Sequence, residues 1–486
     1  MSARKQRTKR RAKQRHSGRS AARRATHADH FKEIWRWFLP EAGIFAGLKR
    51  HGNSTWRPVP LVCLALCWAW GENRNVTDAF EGAATQCRLL GFVAVQTYQG
   101  LMKVLVMWTD PLLQLLWPVL HQRMRQIGRG SFWQIGDWVP IAFDGSRSNV
   151  PQTKACEKAF SAPNYGKGKT AKYRPKKSKG MRRRRNAAQQ TKPQQPQVWT
   201  TLLWHMGLRL PWMWRLGPSN SSERQHVMEM LDEGEFPENT LFCGDAGFVG
   251  HPLWSRILDR GQHFLVRVGA NVHLLKEMNC RLTVGGQVLS WPQPVMKAGE
   301  APLRLRLEQV RVGRSRMWML TSVLDSSQLT RAQIVTLYKK RWGIEVEFRG
   351  LKQTLHRHDL KCRNYERVLV EMHWSLLAMA VAELFALKEQ LAGASLIDPA
   401  KRSLANTMRA LRICLNNLKS VPDPGRDLQT RLRQAVTDSY TRTASKQSRY
   451  PRRNPDKKPL GDPKIRILTV EEKRALRGHK PQKSAA

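Results

Sequence analysis

Three acidic side chains, Asp144, Asp245 and Glu345, have the type and setting to act together. Asp144 and Asp245 each follow a short apolar run, 139–143 and 240–243, and each precedes a small residue. A carboxylate at a strand end projects from the sheet edge into a crevice, although Asp-Gly and Gly-Asp-Ala-Gly are also common turn sequences. Glu345 lies in LYKKRWGIEVEFRGLK, residues 337–352, downstream of a Thr330/Gln333 pair with the form of a helix capping box. Read as one helix, this segment puts Tyr338, Arg341, Glu345 and Lys352 within about 60° of one another, with Glu347 roughly opposite. Taken alone, such a face could be a salt-bridge network. Three carboxylates from two strand ends and a helix can hold two divalent ions, and oxygen ligands suit Mg²⁺, with Mn²⁺ as a substitute. Such a pair activates a water or a 3′-hydroxyl for in-line attack on phosphate and stabilises the leaving oxygen.

The surrounding pattern predicts elements able to position these groups. Residues 198–206 and 210–216 read as a strand hairpin. Asn220-Ser-Ser-Glu223 has capping-box form and opens a helix through Leu231. Residues 240–243 and 263–268 read as strands. Three strands, a helix, a strand and a helix give a mixed α/β order, that of a ribonuclease-H-like fold. The expected map has a disordered basic arm at 1–28, a helical DNA-binding region at 29–125 and the α/β catalytic domain at 138–385. That domain is interrupted by a basic flexible loop at 158–197 and a β-rich insertion at 272–317. A helical region at 386–436 and a basic, mostly disordered tail at 437–486 follow, with a short ordered piece near 465–476. Within the first helical region, 78–89 and 97–108 could form a helix-turn-helix or an ordinary helical hairpin.

Charge narrows the class of partner. The 486 residues hold 84 Lys plus Arg against 37 Asp plus Glu, a net charge of +47. So much like charge repels itself unless a polyanion is bound, and each phosphate neutralised releases a counterion. Residues 1–24 carry eleven basic side chains and no acid, as do residues 165–185. Together they supply 22 of the +47, so the folded surface is basic too. The longest apolar runs, 59–70 and 372–382, are short for a bilayer crossing. Without an apolar secretory segment, the expected location is cytoplasmic, associated with the bacterial nucleoid. The eight cysteines include no CxxC pair, which argues against zinc or a disulfide framework. Residues 166–170 imitate a phosphate-binding loop, but Pro163 stands where its first glycine is needed. His356 and His358, at an offset of two, do not share a helix face and read as surface or DNA-facing residues.

The sequence resembles the bacterial insertion-sequence transposases with a DDE triad, the group called IS four. The spacing Tyr-x2-Arg-x3-Glu-x6-Lys is met without gaps at Tyr338, Arg341, Glu345 and Lys352. Ile141-Ala-Phe-Asp144-Gly-Ser, Cys243-Gly-Asp245-Ala-Gly-Phe and Phe264-Leu-Val-Arg267 are similar to the family's segments. The resemblance covers about residues 138–385. It implies that Asp144, Asp245 and Glu345 bind the metals and that Tyr338, Arg341 and Lys352 hold transposon-end phosphates, with Arg267 a further DNA contact. It also implies that Trp318 stacks a flipped base beside the active-site groove, the alternative being a core strand tryptophan. The function so implied is cleavage of transposon ends and strand transfer into target DNA by a homodimer, with no membrane partner. The alternatives are a catalytically inactive transposase-derived DNA-binding protein and a hydrolytic nuclease that does not join strands.

Overall fold

A computed structural model describes residues 24–40, 42–49, 54, 56–72, 75–93, 95–128, 130–160, 195–277, 286–313, 315–392, 395–438 and 460–479. Most of the expected basic arm and basic loop, and residues 439–459 of the tail, lie outside the described residues.

Four helices come first: α1 (His27–Phe38), α2 (Pro58–Trp70), α3 (Val76–Leu89) and α4 (Tyr98–Ile127). Their starts are written in the sequence. Thr26 forms a capping box with Asp29, Asn75 and Thr97 cap the next turns of chain, and α2 opens on a proline whose missing N–H costs nothing there. Because α1 already starts at His27, the arm ends two residues earlier than the expected boundary at 28. The second helix of the candidate helix-turn-helix is the front of the 30-residue α4, whose Leu101, Met102 and Leu105 are buried.

The sheet begins with β1 (Val139–Asn149), followed by α5 (Lys154–Phe160), β2 (Gln197–His205), β3 (Leu210–Gly217), α6 (Glu223–Glu233), β4 (Thr240–Gly244), α7 (His251–Asp259) and β5 (His263–Val268). β1 pairs antiparallel with β2 and parallel with β4, and β4 pairs parallel with β5. β1 does not end at Asp144 as the apolar run implied. It continues to Asn149 because β2 pairs with it all the way, whereas its pairing with β4 stops at Ala142. Asp144 therefore sits just beyond the parallel part of the sheet.

The expected β-rich insertion is no separate body. β6 (His273–Lys276), β7 (Gly286–Ser290), β8 (Leu303–Val312) and β9 (Ser315–Thr321), with α8 (Gln293–Lys297) between β7 and β8, extend the same sheet. Its order is β10-β6-β7-β8-β9-β5-β4-β1-β2-β3, where β10 (Lys464–Ile467) comes from the tail and is followed by α14 (Val470–Arg477). The ordered piece expected near 465–476 is thus a tenth strand and a helix.

Between β9 and the tail lie α9 (Arg331–Arg341), α10 (Gly343–Gln353), α11 (Tyr365–Gln390), α12 (Leu404–Asn416) and α13 (Leu428–Arg433). α11 is longer than the apolar run that marked it. By length and composition it could cross a membrane, yet 89% of its apolar window is buried inside the fold. The N-terminal helices pack on it: the Trp70 indole donates to the Ala378 carbonyl at 2.8 Å, Trp374 donates to Thr109 at 2.9 Å, and Phe38 meets Phe385 edge-on. The boundary expected at 385/386 therefore cuts through a helix, and residues 29–125 share a core with the C-terminal helices instead of standing apart.

Where α4 and α11 meet the β3 edge, three histidines are held neutral. His121 stacks on Trp212 at 3.7 Å, His205 is fully buried, and His373 accepts from the Trp214 indole at 3.1 Å. Burial holds the His121 and His373 imidazoles down to about 4 and that of His205 to about 3. The unfolded chain takes up protons at these sites below about pH 6.5 that the fold refuses, so stability is full above that pH and falls as pH drops toward 4. Each group contributes up to about 1.4 kcal/mol per pH unit in that window. Urea midpoints at pH 7.5 and pH 5 check this. His205→Asn, which keeps an acceptor for the Leu208 N–H, should flatten the pH slope; an unchanged slope removes His205 from the account.

Candidate active site

Register decides which side chains can meet. Ala142, Cys243 and Leu265 lie side by side across β1, β4 and β5. Side chains two residues apart share a face of a sheet. Asp144, Asp245 and Arg267 therefore point to one face, the face on which the Tyr338 hydroxyl accepts from Arg267 at 3.4 Å. α9 and α10 lie over it and bring Glu345 to the end of the sheet where both aspartates emerge. Asp144, Gly145, Ser146, Glu345, Phe348, Arg349, Lys352, Gln353 and His358 line a cleft of about 710 Å³.

The carboxylates are close enough to alter one another's ionisation. Burial raises Asp144 to about 6; the charges of Asp245 and Glu345 push the same way, while the Gly145 N–H at 2.8 Å and Arg341 pull it down. Glu345 is raised by burial and by Asp245, against Arg341 and Arg349. Asp245 accepts the Gly247 N–H at 2.7 Å, which fixes its rotamer just past β4.

The segment 330–353 is two helices, not one. The Thr330/Gln333 capping box starts α9 as expected, but the chain breaks at Trp342. Gly343 is needed there, since a Cβ would stand 2.2 Å from the Trp204 ring. A common face across the break therefore does not follow from helix arithmetic. On α10, Glu345 and Lys352 do share the cleft, with Arg349 between them. On α9, Tyr338 and Arg341 are buried beneath it, at 5% and 4% exposure. Glu347 points away from the cleft, as expected, and is buried. Trp342 itself is half exposed.

Trp318 is not in the cleft. It pairs with Val268, one residue beyond Arg267, and so belongs to the opposite face of the sheet. There it is half-buried, and its indole donates to Asp462 at 2.7 Å. Alternation along β9 was legible in the sequence, but its parity against β5 was not.

One carboxylate escaped the sequence reading. Ser222, not Asn220, caps α6 by accepting from Gln225, so Glu223 is the first residue of the helix and its side chain is released from capping. It reaches over the sheet edge to Gly145: a Cβ on that glycine would lie 2.3 Å from Glu223 Oε1 and 2.8 Å from Trp199 Nε1. Burial, then Asp144 and Asp245, raise Glu223 to about 7, with Arg147 opposing. An acid at the start of the helix after a hairpin was the available signal. Oxygen donors only, mutually repelling and partly buried, form a set that fits hard divalent cations.

Because the Glu223 carboxylate and the edge of the Trp199 ring occupy the space a Cβ would need, Gly145→Ala should displace both while the pairing of β1 with β2 holds. Mn²⁺ binding measured by calorimetry should weaken severalfold while the thermal midpoint stays within a few degrees. Unchanged Mn²⁺ affinity in a variant with a displaced Glu223 would exclude Glu223 from the ligand set.

The chain is similar in sequence to known transposases. The model of the family described as "Transposase DDE domain" matches residues 139–381, half of the chain. The transposase InsG of insertion sequence element IS4 from Escherichia coli (strain K12) is 27% identical over 177 residues. That match covers 33% of this chain and 37% of the relative, so the similarity spans little more than a third of that protein's length. Among solved structures, the piggyBac transposase synaptic complex with hairpin DNA overlaps 86% of this chain and 84% of its own, at 13% identity and a TM-score of 0.38, too low to assign a shared fold. On that family match, which spans half of its length, the chain belongs to the family of the transposase DDE domain.

Proposed function

We propose that this protein is a DNA transposase of the IS4 type that cleaves the ends of a mobile element and transfers the freed strands into target DNA. Its catalytic unit is ribonuclease-H-like, which the strand order β3-β2-β1-β4-β5, antiparallel and then parallel, supports. The observation that carries the reading is that Asp144 and Glu345 line one cleft with Arg349 and Lys352, and that Asp245, on the same face of the sheet, is near enough to act electrostatically on both carboxylates.

Asp144, Asp245 and Glu345, with Glu223 beside them, would hold two Mg²⁺ ions, or Mn²⁺ in their place. Bound there, such ions make a nucleophile of water or a 3′-hydroxyl and neutralise the leaving oxygen. The chain's own groups do the positioning. Arg349 and Lys352 sit one and two turns beyond Glu345 on α10 and can take the phosphates flanking the scissile bond. Lys352 is already disfavoured in its charged form by burial, so an entering phosphate gains from restoring a counter-charge. Tyr338 and Arg341, buried under the cleft, support Glu345 and its surroundings instead of reaching outward. The +47 charge supplies sequence-independent attraction for DNA, at transposon ends and target alike. Two copies acting on paired ends as a homodimer complete the proposal.

The test is a cleavage and joining assay on DNA carrying the element's own terminal sequences. Asp144→Ala and Glu345→Gln should each lower nicking and strand transfer by about a thousandfold or more while DNA affinity changes less than about threefold. Wild-type-like nicking by either variant overturns the assignment. Nicking without transfer of a 3′-hydroxyl end would make the protein a nuclease only.

A further inference from the structure

Far from the cleft, three thiols meet in the N-terminal helices. Cys63 and Cys67 stand one turn apart on α2, and Cys87 lies near the end of α3. All three are buried, at 0%, 1% and 2% exposure, and none is in a disulfide. Their sulfurs all lie within 4.8 Å of one another, with Cys63 and Cys87 at 3.9 Å. A fourth buried cysteine, Cys414 on α12, is near enough to Cys67 to act on it electrostatically. Its thiol donates to the His27 carbonyl at 3.3 Å, and the buried His27 Nδ1 beside it has no hydrogen-bond partner.

We propose that Cys63, Cys67 and Cys87 form a structural site for a thiophilic metal ion, Zn²⁺, with Cys414, whose sulfur lies outside that close group, moving in as fourth ligand. Two thiolates held about 2.3 Å from a tetrahedral ion are about 3.8 Å apart, which is the Cys63–Cys87 spacing. Cys87 can donate a weak S–H hydrogen bond to Cys63, but that bond uses two of the sulfurs and does not by itself gather the third. A disulfide would need its sulfurs at about 2.05 Å and would leave the third thiol without a role. Thiolate is a soft donor and selects zinc over the Mg²⁺ that oxygen ligands prefer. A thiolate buried in an apolar core needs a cation beside it to offset its charge. The sequence hid the cluster because its ligands come from an i, i+4 pair and two distant helices, with no CxxC.

Such an ion would tie α2 and α3 to α12 around the buried α11, joining the N-terminal helices to the C-terminal ones. It is independent of the transposase reading, since no ligand is shared with the carboxylate cleft.

Full-length protein purified under reducing conditions without chelator should carry about one zinc per chain by mass spectrometry. Asp144→Ala should keep it. Cys87→Ser should lose it, and if that variant fails to fold, the wild-type chain still decides. After chelation and titration with Co²⁺, wild-type protein should show thiolate-to-cobalt charge-transfer bands and intense tetrahedral d–d bands. X-ray absorption of the zinc form should give four sulfur neighbours at about 2.3 Å. A wild-type chain that holds no stoichiometric zinc and gives no thiolate–cobalt bands overturns the proposal, as do fewer than three sulfur neighbours. Three sulfurs and one lighter atom remove Cys414 from it.

Discussion

Burial of acidic side chains at one sheet edge, Asp144, Glu223 and Glu345, with the charge of Asp245 adding to its effect, is the constraint on which the rest of the structure turns. On a flexible loop, such groups would simply turn away. Here two emerge from paired strands whose register is fixed over many residues, and two from helix starts packed on that sheet. The scaffold's stiffness keeps the negative charge in place until a cation offsets it. Stiffness of that order comes from extent: the sheet runs to ten strands, and α11 is enclosed by helices from both ends of the chain.

What could be read in the sequence followed the range of the interactions involved. The three acids could be picked out as candidates because each carries a local mark: an apolar run before each aspartate and, for Glu345, a helical segment opened by the Thr330/Gln333 box, although that box starts α9 and Glu345 lies on α10. The strand at His263–Val268 and the start of α9 were legible for the same reason. Features set by distant contacts were not. The break at Trp342 depends on Gly343 meeting the Trp204 ring, 139 residues away in sequence. The face of Trp318 depends on its pairing with β5, and a shift of one residue would have put it in the cleft. Glu223 was misread because two residues, Asn220 and Ser222, could cap the same helix, and the choice decides whether its carboxylate is tied to the backbone or free. Burial of the full length of α11 by helices from both ends of the chain could not be inferred from its apolar run alone.

Glycine at 145 illustrates how the backbone serves the charges. Asp144 needs an amide donor close by and receives the N–H of the next residue. Glu223 needs to pass over the same residue from the other face of the sheet. A side chain there would satisfy neither demand better and would obstruct the second. The Asp-Gly pair, which in the sequence could equally have been a turn, is in the structure a strand interior whose glycine lets carboxylates from opposite faces approach one another.

Arg341 is the remaining piece of this balance. Its guanidinium is 4% exposed, its Nε has no hydrogen-bond partner, and no carboxylate forms a close ion pair with it among the described residues. It nevertheless lowers the pKa of both Asp144 and Glu345. A cation so placed acts through its field: it favours the ionised carboxylates without occupying the space between them. A direct salt bridge would hold one carboxylate against the guanidinium and take it out of a metal's reach. Rings of Tyr338 and Trp342, 5.6 and 5.4 Å from the guanidinium carbon, hold it by their faces and leave the carboxylate oxygens free. The arrangement keeps the acids closer to their charged forms than burial alone would allow, and it keeps their oxygens turned toward the cleft.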